Sequence, residues 1–327
     1  MKKIISYLCI LSMVLALCAC GDSGSGEKAG SSDDVKTVAV DVQPCTIQAN
    51  GCYTYGLTPD GTLTASSEPF VDGDNVVKTL PDYISWTGIS NFSSNSEAVA
   101  AVFEYGTVKM CGGLVDEMEY TDFDNVEGWT DVVQVAMGTH HLVALKSDGS
   151  IEMAGRLLTE DLEDTTGFVQ VEAGVDPMGV KSDGTVVVWS WNWNDSIDAV
   201  KEWTDITCVS SSWNHIVALK SDGTVVACGN NDFGQCDVDE WSDIVAVSAG
   251  CEFTIGLKSD GTVVFCGSDK EGTIDVSNWT DIVEIDAGYH HCAGLKSDGT
   301  VVCSGQNFQG QCNGGSRRRF PQCLSSC

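Results

Sequence analysis

The sequence predicts an all-β fold, a seven-bladed β-propeller of four-stranded blades, and three observations support this prediction. The tetrapeptide Lys-Ser-Asp-Gly returns five times, at spacings of 35 to 39 residues. Around each copy apolar and polar residues alternate with the period of two that a half-buried strand requires. No helical period interrupts this pattern. A tandem repeat of about 40 residues with four short strands is typical of a propeller blade.

The number of turns gives the number of blades. Two weaker copies of the turn, at 58–62 and 104–107, precede the five clear ones and bring the total to seven. The clear copies lie at 146–149, 181–184, 220–223, 258–261 and 296–299. The propeller is therefore predicted to occupy residues 35–315.

The sixth unit shows how one blade is built. Ile244 to Val247 is a short apolar run that favours a buried inner strand. Alternation from Phe253 to Leu257 predicts a second strand, and residues 263–266, after a Ser-Asp-Gly-Thr hairpin turn, predict a third. A fourth short strand is expected near Asp275-Val276.

A repeat of this kind forms either a closed ring or an open solenoid. Solenoids need polar end caps. Here a strand-like segment, residues 37–42, starts the first unit without a partner, and the last unit stops after Cys312. Ring closure pairs the two ends and removes exposed sheet edges, so we expect a ring.

The N-terminus predicts export and lipid anchoring. A basic start, Met1-Lys2-Lys3, precedes an apolar run from residue 4 to residue 20, which is typical of a signal peptide. The run ends in Leu-Cys-Ala-Cys-Gly at 17–21, which resembles the lipobox of bacterial lipoproteins. The resemblance implies that residues 1–19 are removed and that Cys20 carries a diacylglyceryl group on the bacterial cell surface. The alternative is an ordinary secretion signal.

Two further segments flank the propeller. Residues 20–34 contain the predicted lipidated cysteine and then no large apolar side chain, so they are expected to form a flexible linker. Residues 316–327 form an arginine-rich tail that departs from the acidic body, and no physical account of it emerges from the sequence.

The charge excludes two classes of partner. The chain carries 47 acidic and 17 basic residues, a net charge of −30. This charge opposes binding to nucleic acid and to anionic lipid surfaces. We expect a monomer that touches the membrane only through the lipid on Cys20.

Units 3 and 5 to 7 also follow the phrase Ala-Gly-x-x-His-x-x-Ala-Leu-x-x-Asp-Gly-x-Val-x-x-x-Gly-x-Asn-x-x-Gly-Gln, from which units 1, 2 and 4 depart. This phrase, clearest at 209–235 and 287–311, resembles the regulator-of-chromosome-condensation repeat. The resemblance implies a seven-bladed propeller, in agreement with the number of turns. It does not imply a function, because one fold serves many.

Histidine and cysteine are interpreted as structural. His141, His215 and His291 occupy one repeat position, and a chemical group is not needed once per blade. Cys111, Cys228 and Cys266 share another repeat position and are interpreted as small packing residues. No Cys-x-x-Cys motif occurs, and we predict no metal, cofactor or catalytic residue.

Two stretches are candidates for partner binding. Trp191 and Trp193 replace part of the usual Gly-Gln loop and are expected to form an aromatic platform. An acidic loop in the second unit adds Asp116, Glu117 and Glu119. We therefore expect a scaffold that binds a protein or glycan through loops on one face. The alternative is an enzyme with its site in the central channel, which acidic residues pointing into that channel would favour.

Overall fold

The computed structural model describes most of the predicted propeller. The described residues are 46–50, 53–65, 71–72, 75–76, 86–95, 98–112, 123, 125–155, 165–189, 196–268, 274–307 and 312. The structural statements below concern these residues.

Twenty-one of the strands form seven three-stranded antiparallel sheets, one per blade. In chain order the blades contain β1 (Thr46–Asn50), β2 (Tyr53–Leu57) and β3 (Leu63–Ala65); β6 (Ile89–Ser94), β7 (Ala98–Phe103) and β8 (Val108–Gly112); β9 (Val132–Met137), β10 (His141–Lys146) and β11 (Ile151–Gly155); β12 (Phe168–Ala173), β13 (Pro177–Lys181) and β14 (Val186–Val188); β15 (Ile206–Ser211), β16 (His215–Lys220) and β17 (Val225–Gly229); β18 (Ile244–Ala249), β19 (Phe253–Lys258) and β20 (Val263–Gly267); β21 (Ile282–Ala287), β22 (His291–Lys296) and β23 (Val301–Gly305).

Few elements lie outside the sheets. A two-stranded pair, β4 (Val71–Asp72) and β5 (Asn75–Val76), lies between blades 1 and 2 in the sequence, and a helix of six residues, α1 (Ser196–Lys201), precedes blade 5. Short 3-10 turns occur at Glu104–Gly106 and Val126–Gly128. Among the helices of the described residues, none has the length and apolarity that crossing a bilayer needs.

The blades form a closed ring. The first strand of each blade packs against the first strand of the next, and β1 of blade 1 packs against β21 and β22 of blade 7. Across this last seam the Ile47 amide donates to Glu284 Oε1 at 3.0 Å. The predictions of an all-β fold, seven blades and ring closure are confirmed, although closure uses β1, and residues 37–42 lie outside the described residues.

The predicted fourth strand is wrong for the sixth unit. Residues 274–276 do not form a strand, and the described part of each blade has three strands. The physical reason is a local turn: Asp275 Oδ1 accepts from the Ser277 amide at 2.9 Å, which competes with sheet pairing. Val276 instead buries its side chain, and its carbonyl accepts from the Trp279 amide.

The repeated turns connect the second and third strands of each blade. The seven turn glycines, one in every blade, all have positive φ, near the +75° of Gly61 and the +81° of Gly261. In blade 5, Asp222 Oδ1 accepts from the Thr224 amide and hydroxyl at 2.9 and 2.6 Å. The Gly223 carbonyl then accepts from the Ile244 amide of blade 6 at 3.1 Å. The turn therefore both closes a hairpin and joins two blades.

The core lies between neighbouring sheets. One cluster combines Val217 and Leu219 of blade 5 with Ile244 and Val247 of blade 6. Trp241 and Trp279, which lie just before the first strands of blades 6 and 7, pack over small residues of the second strand. A Cβ on Gly256 would lie 2.7 Å from the Trp241 ring. The same relation holds at Gly294 and Trp279, at 2.8 Å.

Candidate functional site: the mouth of the central channel

The sequence-predicted binding residues lie outside the described residues. This holds for Trp191 and Trp193, for Asp116, Glu117 and Glu119, and for the predicted lipidation residue Cys20. Trp189, just before the tryptophan pair, is described and buried against Phe168, with ring centroids 5.2 Å apart. Trp189 therefore packs in the core between the strands of its blade and its neighbour.

The repeated histidines are structural, as predicted. His215 Nε2 lies 2.9 Å from Thr254 Oγ1 of the next blade, and that hydroxyl donates to the Gln235 carbonyl at 2.8 Å. His291 makes the same contact across the ring seam, with Thr54 Oγ1 at 3.1 Å. Burial lowers the pKa of His215 to about 4, so the ring is neutral at pH 7. These histidines join blades.

His141 departs from this pattern. The residue of the next blade that corresponds to Thr254 is Pro177, which has no hydroxyl. His141 Nε2 is buried and has no hydrogen-bond partner. Burial, with a smaller effect from His140, lowers its pKa to about 4.

The predicted packing cysteines lie at the edges of the hydrophobic clusters, where Cys228 and Cys266 are half-buried. Burial, reinforced by the neighbouring Cys236 thiol, raises the pKa of Cys228 to about 12. Burial raises the pKa of Cys266 to about 12 as well. Both side chains are therefore thiols, as a packing role requires.

The first strands line the central channel with polar side chains. We call the residues paired with the third position of each second strand the upper ring; in blade 4 the pairing is with the second position, because β13 begins one residue later in the repeat. Its members are Gln48, Ser93, Ala136, Glu172, Ser210, Ser248 and Asp286.

Upper-ring side chains hydrogen-bond to the next blade. Ser93 Oγ accepts from the Met137 amide at 2.9 Å, and Ser248 Oγ accepts from the Ala287 amide at 3.0 Å. Gln48 Oε1 accepts from the Ser94 amide at 2.8 Å. Each bond satisfies an inner-strand amide that has no partner within its own sheet.

A second set of residues, the lower ring, lies two positions earlier on each first strand. Its members are Thr46, Asn91, Gln134, Gln170, Cys208, Ala246 and Glu284. The two glutamines use both ends of their amides: Gln134 accepts from the Val171 amide at 3.1 Å and donates to the Val171 carbonyl at 3.0 Å. Glu284 accepts the corresponding amide from Ile47, and its carboxyl has a donor only when it is protonated.

Three acidic residues belong to these rings: Glu172, Glu284 and Asp286. Glu172 accepts from the Ser211 amide, and Asp286 accepts from the Ala49 amide and from Ser248 Oγ. Burial is the main cause that raises their pKa values, to about 8 for both glutamates and about 7 for Asp286. For Glu172 the charge of Asp286 adds to the effect.

The channel opens at one end into a cavity of about 140 Å³ beneath the turns that join first and second strands. The upper ring forms its floor. We call its rim the channel mouth, whose side chains include those of Asn50, Asn95, Thr139, Trp213, Cys251 and Tyr289. Trp213 of blade 5 and Tyr289 of blade 7 meet edge to face, with ring centroids 5.7 Å apart.

Trp213 of this pair is exposed, where most large apolar side chains are buried, and Tyr289 is half-buried. Trp213 has 56% of its surface accessible. Sequence reasoning missed the pair, because one aromatic residue in each of two units looks like ordinary variation. Aligning the residue after Gly250 in every unit would have found it: the position is Cys251 in one blade, Trp213 and Tyr289 in two others.

Aligning the ring positions of the first strands across the units would also have found the acidic residues of the channel. Chemically, the site offers aromatic faces, hydroxyls, amides and carboxyls within one cavity. Within the described part of the chain, no group of three or more His, Cys, Asp or Glu side chains is placed to hold a metal ion.

The ring, its hairpin turns and the inter-blade histidines define a closed seven-bladed β-propeller. The regulator of chromosome condensation (RCC1) repeat matches residues 206–235 and 282–311, which are blades 5 and 7. Two blades of this propeller are therefore similar to the RCC1 repeat. Comparison with curated protein sequences finds no match to it.

Solved structures of similar fold come from several eukaryotes. The CRINKLY WD40 ectodomain of the Arabidopsis thaliana receptor kinase ACR4 is 16% identical, with a TM-score of 0.61 over 81% of this chain and 95% of that one. Prp20p of Saccharomyces cerevisiae is 17% identical, with a TM-score of 0.54 over 68% and 72%. Human WBSCR16 is 16% identical, with a TM-score of 0.54 over 71% and 79%. At these identities the likeness concerns the fold.

Proposed function

We propose that this protein is a binding scaffold, held at the bacterial cell surface by a lipid on Cys20, which recognises a partner protein on the face that contains the channel mouth. The observation that carries this proposal is the exposed Trp213, packed against the half-buried Tyr289 at the rim of a cavity. Exposed aromatic residues beside a concave polar site are typical of binding hot spots.

Structural relatives support a binding role. Prp20p is characterised together with its binding to Gsp1p and histones, and the ACR4 propeller is the ectodomain of a receptor kinase. The proposed partner of this chain differs from these, because an exported protein with a net charge of −30 meets neither nuclear proteins nor chromatin.

Lipid anchoring and surface display rest on the sequence of residues 1–34. Replacing Cys20 by Ala removes the only proposed acylation site. We expect the Cys20→Ala protein to leave the membrane fraction, whereas a Cys18→Ala protein stays in it. Membrane retention of the Cys20→Ala protein would contradict the anchoring proposal.

Partner capture on intact cells tests the binding role. The parent protein and three variants are compared after chemical cross-linking: Trp213→Ala/Tyr289→Ala at the mouth, Trp191→Ala/Trp193→Ala in the fourth unit, and Tyr105→Ala as a control. Tyr105 is 92% exposed and lies in a hairpin turn at the opposite end of the blades from the mouth. We expect loss of the partner from the mouth variant. Loss only from the Trp191/Trp193 variant would move the site to the fourth unit, and retention by all would contradict the proposal.

An enzymatic role is the second candidate, because Glu172 and Asp286 face a cavity with raised pKa values, an arrangement found at acid–base sites. Against it, the corresponding Gln48, Ser93 and Ser248 bind inter-blade amides in the same way. Hydrogen bonding between blades therefore explains the position of these carboxyls without an enzymatic reaction. Hydrolysis of a glycan or ester panel that Asp286→Asn abolishes would favour the enzyme.

A further inference from the structure

The channel mouth combines two features that recognise an organic cation. The first is aromatic: Trp213 and Tyr289 bridge the rim over blade 6, where the Cys251 amide donates to the Tyr289 carbonyl at 3.3 Å. The edge-to-face arrangement leaves more than half of Trp213 open to solvent. The electron-rich faces of such rings attract ammonium and guanidinium groups.

The second feature is acidic. Glu172 lies in blade 4, next to the blade of Trp213, and Asp286 lies in blade 7, three residues before Tyr289. The two carboxyls therefore flank the aromatic pair on the floor of the same cavity. Each carboxyl has about four acceptor positions, so the inter-blade hydrogen bonds described above leave room for another donor.

Nothing among the described lining residues neutralises these acids with a positive charge, since none is Lys, Arg or His. The cavity of about 140 Å³ holds several water molecules or one long side chain. An aliphatic stem that passes the aromatic rim places its charged end at the upper ring. The geometry therefore selects an elongated cation over a compact one.

We propose that the channel mouth binds a lysine or arginine side chain from an extended segment of the partner, with the stem against Trp213 and the charge between Glu172 and Asp286. This inference rests on the proposed binding function and specifies its chemistry. It also agrees with the acidic character of the chain, which favours encounter with a basic segment.

Protonation of the carboxyls provides an independent readout. Without a ligand, burial keeps the pKa of Glu172 near 8 and that of Asp286 near 7. A cation between them favours their ionised forms, so binding releases protons. The third ring carboxyl, Glu284, also interacts with Asp286, and Glu284→Gln serves as the control for its contribution.

The test uses a capped peptide with one lysine between glycines and its norleucine analogue, which has a stem but no charge. Binding to the purified protein is measured at pH 7 by tryptophan fluorescence and by calorimetry in two buffers with different heats of ionisation. We expect the lysine peptide to bind at least about tenfold more tightly than the norleucine peptide, which is about 1.4 kcal/mol, and to release protons.

Isosteric variants identify the contacts. Glu172→Gln/Asp286→Asn keeps the acceptors for the inter-blade amides and removes the charge, so we expect the preference for lysine to disappear while the melting temperature does not fall. We expect Trp213→Leu to weaken binding of the lysine peptide and Tyr105→Leu to leave it unchanged. Equal affinity for both peptides, or no binding of either, would overturn the inference.

The cellular capture experiment separates this inference from the proposed function. If the mouth variant loses its partner but Glu172→Gln/Asp286→Asn retains it, the binding role stands and recognition of a cation is wrong. If neither variant loses a partner, the binding role itself fails at this face.

Discussion

Glu284→Gln offers the sharpest test of how the channel stabilises the ring. In the folded protein burial raises the pKa of Glu284 from 4.5 to about 8, so the carboxyl is protonated at pH 7. In the unfolded chain it is ionised. Taking up the proton on folding costs about 1.4 kcal/mol for each pH unit above 4.5, or about 3 kcal/mol at pH 7. Glutamine removes this cost.

Glutamine also keeps a donor at this position at every pH. Gln134 and Gln170, at the same ring position, donate to the carbonyls of Val171 and Val209 at 3.0 Å. A glutamine at 284 is expected to donate to the Ile47 carbonyl in the same way, as the protonated carboxyl of the parent protein can. The expected gain in the free energy of unfolding is therefore the cost of the proton alone, about 3 kcal/mol at pH 7.

The stability gain expected from Glu284→Gln depends on pH. Below pH 4.5 the carboxyl is protonated in both states and has an O–H donor as glutamine has an N–H donor, so the expected gain falls to near zero. As the pH rises toward 8 the parent protein loses stability and the variant loses less. Urea unfolding followed by tryptophan fluorescence at pH 4 and pH 7 measures the difference, with the exposed Glu202→Gln as a control. Equal effects at both pH values would refute the reasoning.

Three further predictions follow from individual contacts. His215→Leu is expected to destabilise the protein by about 1–3 kcal/mol, because it removes the buried inter-blade hydrogen bond between His215 and Thr254. His141→Leu removes a buried nitrogen without a partner and is expected to be neutral or stabilising. Similar losses of melting temperature in the two variants would contradict this contrast. Gly256→Ala places a Cβ 2.7 Å from the Trp241 ring and is expected to cost about 1–3 kcal/mol, whereas an unchanged melting temperature would show that Trp241 moves freely. Burial raises the pKa of Cys228 and Cys266 to about 12. Iodoacetamide at pH 8 is therefore expected to alkylate these thiols much more slowly in the folded protein than in the urea-unfolded protein, as measured by peptide mass spectrometry. Equal rates would show that the thiols are not protected.

The sequence was sufficient to predict the fold because the same turn occurs in all seven units. Each turn needs a residue at positive φ, and glycine at Gly61, Gly106 and their equivalents satisfies it even where Lys-Ser-Asp is lost. The inter-blade histidines were recognised as structural for the same reason. The fourth strand was placed wrongly because a Val after Asp275 looks like a strand residue, although the Asp–Ser turn prevents pairing.

The candidate site was harder to predict because it depends on differences between repeats. Trp213 and Tyr289 are 76 positions apart in the numbering and meet only because the ring curves across blade 6. Glu172 and Asp286 replace polar residues of other blades, and their shared cavity exists only once the ring is closed. The sequence instead indicated Trp191 and Trp193, which are unusual within one unit. Their role in partner binding stays a prediction.

Site-specific photo-cross-linking tests the central claim most directly, which is that the channel mouth is the binding face. A benzophenone amino acid is placed at Trp213 or, as a control, at the more exposed hairpin position Tyr105, and the protein is irradiated on the surface of the producing cell. The account predicts a defined cross-linked protein from position 213, cross-linked through a segment that contains lysine or arginine, and none from position 105. A partner cross-linked from position 105 and absent from position 213 would contradict it.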